Sequence, residues 1–105
     1  MASSTFARAE HLLPASRRAL RVKLERDRES REAQLRIIEE DRVRATEDVV
    51  AFVLRRSVTE ALAATERALQ RLDDGTYGQC LRCHDSIPLR RLESLPHIPF
   101  CVRCS

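Results

Sequence analysis

The chain has 105 residues, of which 43% are hydrophobic, 33% charged and 4% aromatic, with no Trp. One domain is expected at this length, too apolar for a disordered chain and too poor in aromatics for a thick core; a thin helical seam with a metal staple fits better. The formal net charge of +3 is spread over alternating signs and does not argue for nucleic acid, and no apolar run approaches the roughly 20 residues of a membrane span.

Residues 1–14 show no apolar signal core followed by a cleavage site, and a flexible N-terminal segment is expected. His11 within it carries no chemical signal. The expectation is a soluble, cytoplasmic protein. Thiols stay reduced in that compartment, so paired cysteines there point to metal rather than to disulfides.

From Ala15 to Asp74 there is neither Gly nor Pro, and the stretch is rich in Ala, Leu, Arg and Glu. Nothing there forces the backbone out of a helix. Pro14 marks the expected start. Leu20, Leu24, Leu35 and Ile38 fall near one face, but the run from Glu25 to Glu32 contains no apolar residue. The second half is better patterned: Leu54, Val58, Ala61, Thr65, Ala68 and Leu72 recur at alternating four- and three-residue steps, with Leu62 and Leu69 widening the stripe. This is coiled-coil periodicity. Asp73-Asp74-Gly75 ends the helix, with Gly75 as a left-handed cap.

A single helix over these residues would be roughly 90 Å long and would need a partner chain to cover its stripe; a hairpin covers it internally. The best turn lies at 39–48, with Thr46 able to cap the second helix and Glu47 and Asp48 in its first turn. A turn centred near Val43 would set Asp27, Glu29 and Glu32 opposite Arg55 and Arg56, which would explain the polar middle of the seam.

Residues 75–105 carry the strongest signal: Cys80-Leu-Arg-Cys83, seventeen residues, then Cys101-Val-Arg-Cys104. Two residues between paired cysteines let the backbone turn tightly and aim both sulfurs inward, and two such knuckles supply the tetrahedral thiolate shell that zinc prefers. All four cysteines of the chain are used, so one structural Zn2+ held by Cys80, Cys83, Cys101 and Cys104 is expected. A catalytic zinc would leave a position open for water, and this shell is closed. Two disulfides would suit a secreted protein, and a redox pair would sit at a helix start in a βαβ unit; neither context is visible. Arg82, Arg103, Arg90 and Arg91 could offset the double negative charge of the tetrathiolate centre or be simply solvated. His84 and His97 read as surface or packing residues. Tyr77, Ile87, Leu89, Leu92, Leu95, Ile98 and Phe100 read as packing around the metal, with a short helix between the knuckles.

The run from Ala68 through Gly75-Thr76-Tyr77-Gly78-Gln79-Cys80 to Cys83, followed by Ile87-Pro88, Arg91-Leu92-Glu93, Pro96, Cys101 and Cys104, resembles the C4-type zinc finger of the bacterial DksA/TraR family, over about residues 60–105. His84 stands where that family commonly has Gly. The resemblance implies a mainly α fold: a long antiparallel helical hairpin, or coiled coil, followed by a small C-terminal C4 zinc-finger module. It also implies a regulator that binds RNA polymerase beside its secondary channel and inserts the hairpin toward the active site without reading DNA sequence. The family's tip carries two acids three apart, followed two residues later by Ala. Here Ala45 is preceded at that position by Val43, and Glu39, Glu40, Asp41, Glu47 and Asp48 are the candidate interaction residues.

Three functions compete. The first is a transcription regulator contacting RNA polymerase through the hairpin. The second is a zinc-stapled helical adaptor or homodimer with no action on polymerase; a monomer is favoured. The third is direct DNA binding through Arg17, Arg18, Arg21 and Lys23, but no reading helix accompanies them and a solvated helix face explains them. No open metal site and no nucleophile–base pair argues for an enzyme.

Overall fold

The structure, a computed structural model, describes residues 11–40 and 49–105. Its elements are α1 (Pro14–Glu40), α2 (Val49–Asp74) and a short α3 (Leu89–Ser94). Among the described residues there is no strand, only an isolated antiparallel bridge between Gln79 and Ser86. The fold is thus mainly α. The first two helices pack side by side as the arms of a hairpin, in a molecule 57 Å long. The long-rod reading of the sequence does not apply.

Both arms start and stop where backbone chemistry says they should. Pro14 opens α1, where its fixed φ is pre-set for helix and its missing N–H would be unpaired anyway. At the other end of the hairpin, Gly75 adopts φ +85°. The Arg71 carbonyl then accepts from both Thr76 N–H (3.0 Å) and Tyr77 N–H (3.1 Å). This left-handed cap satisfies a helix-end carbonyl and turns the chain into the finger.

The seam between the arms changes character along its length. At the finger end Leu20 and Leu24 of α1 are buried against Ala68 and Leu69 of α2. Midway, the buried Thr65 hydroxyl donates to Asp27 Oδ2 at 2.8 Å, and Arg31 lies 3.6 Å from the other oxygen of the same carboxylate. Further out Val58 is the last buried apolar residue of α2. Leu54, which the stripe pattern turns inward, is 49% exposed. Leu35, Glu39, Arg55 and Thr59 line an open cleft of about 340 Å³ between the arms.

The polar middle therefore arises differently from the expected pairing. Arg55 lies 3.7 Å from Glu39, Arg56 pairs within its own helix with Glu60 at 3.1 Å, and Asp27 faces Thr65. Arg21 meets Asp73 at 2.9 Å. The Asp27–Thr65 pair is symmetric about position 46, and the Arg21–Asp73 and Glu39–Arg55 pairs about position 47. The centre of the hairpin is displaced by three or four residues from Val43, so each residue's partner on the opposite arm is displaced by six to eight. Residues 42–46, including the Thr46 cap, lie outside the described residues.

The principal core sits where the hairpin meets the finger. Leu12, Leu20, Leu24, Ala68 and Leu69 pack with Tyr77, Cys80, Ile87, Leu92 and Cys101. His11 and Leu12, expected in a flexible segment, are part of this joint. Leu12 is 2% exposed, and the His11 ring Nε2 lies 2.7 Å from the Ile87 carbonyl. Gly78, at φ +90°, makes room for them: a Cβ there would come within 2.9 Å of Leu12 Cδ1 and 3.1 Å of the His11 ring. Residues 1–10 lie outside the described residues.

Candidate metal centre

The finger is held in two layers of hydrogen bonds before any metal is considered. The first knuckle is a tight hairpin: Ile87 N–H donates to Gly78 O (2.7 Å), Cys80 N–H to Asp85 O (2.8 Å) and His84 N–H to Cys80 O (2.9 Å). The second knuckle turns on Cys104 N–H and Ser105 N–H, which both donate to Cys101 O at 3.1 and 3.0 Å. Leu81 N–H donates to Pro99 O at 2.9 Å and ties one knuckle to the other. Between them, Pro88 caps α3, whose Leu92 is fully buried. Tyr77, 1% exposed, donates its hydroxyl to Pro96 O at 2.9 Å, fixing the loop that leads to the second knuckle.

This scaffold brings together all four expected ligands. The sulfurs of Cys80, Cys83, Cys101 and Cys104 lie within 4.8 Å of one another, and none is in a disulfide. Zn–S bonds of about 2.3 Å in a tetrahedron put sulfurs roughly 3.8 Å apart. The Cys83–Cys101 separation of 3.6 Å meets that closely. Backbone N–H groups of Arg82 and Cys83 point at Cys80 Sγ from 3.4 and 3.5 Å. The four residues are thus positioned to bind one metal ion, and thiolate sulfur in a closed four-sided shell suits structural zinc.

The thiols polarise one another. Burial pushes Cys80 up, but the N–H groups of Cys83, Cys101 and Arg82 outweigh it and bring the thiol down to about 5. Cys101 is also lowered: burial opposes it, and hydrogen bonds from Cys83 and Cys104 prevail. At Cys83 the Asp85 N–H pulls the thiol down, yet burial and the Cys101 and Cys80 sulfurs leave it raised. Cys104 is pushed up to about 12, by burial first and then by the three other sulfurs. Two sulfurs thus favour thiolate and two keep their protons for them, until a dication favours thiolate at all four.

Of the flanking arginines, Arg103 serves the centre. It pairs with Asp85, and this contact, followed by that with the Cys101 sulfur, strengthens its hold on its proton. Arg82 lies over the Phe100 ring at 5.1 Å. Arg91 reaches Ser105 Oγ at 3.4 Å. His84 and His97 are outside the metal-ligating cluster; the His97 carbonyl instead accepts from Arg71 at 3.5 Å. His84 adopts φ +67°, the left-handed conformation for which Gly is the strain-free residue.

At the other end of the molecule, Glu39 and Glu40 close α1, both exposed, with Glu39 beside Arg55. Asp41, Glu47 and Asp48 lie outside the described residues. What the sequence reading missed is the contribution of His11 and Leu12 to the finger. Its only sequence trace is Gly78, a glycine that a zinc knuckle does not itself require.

A helical hairpin planted on a four-cysteine knuckle pair defines the class of the protein, and known proteins share both parts. Residues 75–104 match the prokaryotic dksA/traR C4-type zinc finger. The chain is 33% identical to an uncharacterized protein of Aquifex aeolicus (strain VF5), over 78% of this chain and 63% of that one. It is 47% identical to general stress protein 16O of Bacillus subtilis (strain 168), over 36% of this chain and 23% of that one. The chain therefore spans less than two thirds of the length of these relatives. Its fold is similar to that of transcription factor DksA2 from Pseudomonas aeruginosa, with a TM-score of 0.70 and 27% identity, covering 87% of this chain and 81% of that one. The finger is thus of the dksA/traR C4 type, and the fold of the chain as a whole is similar to that of a DksA-type transcription factor.

Proposed function

We propose that this protein is a zinc-stabilised transcription regulator that contacts RNA polymerase through its helical hairpin and does not read DNA sequence. The observation that carries the proposal is the likeness to transcription factor DksA2, which extends over both the finger and the arms. The finger acts as a rigid base. Zinc on Cys80, Cys83, Cys101 and Cys104 fixes the joint, and the arms project their distal end away from it, with Glu39 and Glu40 exposed there. No enzymatic step is invoked, and a cytoplasmic location follows from the proposed partner.

The arginines once considered for DNA support this reading more than the alternative. Arg17 donates to Leu12 O at 2.8 Å, Arg21 pairs with Asp73, and Lys23 donates to the Glu93 carbonyl. These side chains serve the joint between arms and finger.

The test is capture of purified RNA polymerase by the intact protein and by a variant carrying Glu39→Gln, Glu40→Gln and Asp41→Asn. Capture by the wild-type protein, reduced in the variant, is the expected result. No capture by the wild-type protein would refute the proposal and favour an adaptor without action on polymerase.

A further inference from the structure

The two knuckles are built to one pattern, Cys80-Leu81-Arg82-Cys83 and Cys101-Val102-Arg103-Cys104, with an arginine before the second cysteine of each. The first cysteine of each pair is buried, whereas Cys83 is exposed and Cys104 half-buried. The centre therefore has a closed side, at Cys80 and Cys101, and an open side at the two sulfurs that the arginines precede. The main chain joins the knuckles through Leu81 N–H and Pro99 O at 2.9 Å. Two side chains add to that bond, and each crosses to the other knuckle. Arg82 of the first lies over the ring of Phe100, which leads into the second, at 5.1 Å. Arg103 of the second pairs with Asp85 of the first and touches the Cys101 sulfur. Arg90 is exposed on α3 and belongs to neither knuckle.

We infer that Arg82 and Arg103 form a reciprocal latch that holds the two knuckles closed on zinc and slows its release. Release to a chelator begins on the open side. A sulfur there lets go, keeps its electron pair and takes a proton, and a donor of the chelator fills the vacated position. For the ion to leave, the knuckles must then part. Parting them lifts Arg82 off Phe100 and separates Arg103 from Asp85, so both contacts oppose one movement. Each is weak alone, because exposed cation–π and ion pairs contribute little. Neither is needed to build the finger, whose own hydrogen bonds shape each knuckle, so their effect falls on how long the metal stays. The latch concerns the finger alone and is independent of what the hairpin contacts.

Transfer of zinc from the loaded, reduced full chain to an excess of a chromogenic chelator tests the inference. Arg82→Ala and Arg103→Ala should each speed release by about two- to fivefold, and the double variant by about tenfold. Arg90→Ala removes the same charge from the module without touching either contact and should leave the rate unchanged. Asp85→Asn should also speed release, and adding it to Arg103→Ala should have no further effect, because both break a single contact. A readout at the metal separates a latch from general loosening. With Co2+ in place of zinc, Arg103→Ala should shift the thiolate-to-cobalt charge-transfer band, since Arg103 touches a ligand sulfur, whereas Arg82→Ala, which removes a contact to a ring, should not.

One equivalent of zinc and an unchanged circular dichroism spectrum before mixing show that each variant is folded. The Arg103 and Asp85 side chains are 71% and 59% exposed, so loading should be unaffected. The single variants carry the comparison should the double one fail to load. Release at the wild-type rate from the Arg82 and Arg103 variants overturns the inference. So does an Arg90→Ala variant that loses zinc as fast as they do, since net charge would then explain the effect. A cobalt band that Arg103→Ala leaves in place overturns it as well, because the guanidinium is then not held against the centre.

Discussion

The two ends of the hairpin use the same kinds of residue to opposite effect. At the finger end, leucines from both arms meet tyrosine, isoleucine and cysteine from the finger, and ten residues form one buried cluster. At the distal end, leucine, valine and phenylalanine are about half exposed or more, and the inter-arm space is an open cleft. The difference lies in what faces them. Two helices alone can cover only a narrow stripe, and a third layer is needed to close a core around it. The finger provides that layer at one end, and only because its knuckles are tied together. Stability should therefore be concentrated near the cysteines and fall off along the arms, leaving the distal surface free for partners.

The sharpest way to break this contrast is to remove the metal. Zinc binding contributes on the order of 10 kcal/mol to the folding of such modules. Chelation, or Cys80→Ser, should erase the finger's tertiary structure and loosen Leu20, Leu24 and Leu69, while the helix content of the arms falls much less. Amide exchange with and without chelator reads this residue by residue; a finger that keeps its protection in chelator would end the argument. Next in size is a pair of matched truncations. Leu24→Ala, at a position 1% exposed, should cost about 2–5 kcal/mol, and Leu54→Ala, at 49%, should stay within about 0.5 kcal/mol. Urea unfolding of the two variants measures the gradient directly, and equal losses would abolish it. Gly78→Ala should cost about 1–3 kcal/mol, because it forces an L-residue into φ +90° and drives a methyl group into Leu12. Gly75→Ala is the control: it meets nothing within 4 Å and should cost only the smaller backbone strain. The smallest effect has the opposite sign. His84→Gly should stabilise the finger by about 0.5–1 kcal/mol by relieving the left-handed backbone at φ +67°. A lower thermal midpoint for this variant would mean that the imidazole contributes more than its backbone strain costs.

Much of this gradient could be read from the chain, and the rest shows where reading stops. The cysteine spacing sufficed for the metal centre, since paired sulfurs two residues apart admit few other geometries. Gly75 sufficed for the end of α2, because a helix stop needs one left-handed residue and the chain offers glycine there. The arms' register was not legible. A turn without Gly or Pro leaves no mark of its position, and several offsets bring some acid near some arginine. The inward stripe was legible only as far as Val58. Periodicity says which side Leu54 is on, but not whether the opposite arm is close enough to cover it. The part played by His11 and Leu12 was invisible for a different reason: it depends on the absence of an atom at Gly78, far along the chain.

The bond between His11 and the Ile87 carbonyl spans 76 positions. It closes a loop that contains both arms, and closing so long a loop in an unstructured chain carries a large entropy cost. Once the arms have zipped, the same two groups are already neighbours and the remaining loop is short. The order of assembly follows from that geometry: hairpin first, then the N-terminal strap over Gly78. A substitution in the α1–α2 seam should therefore slow formation of the joint.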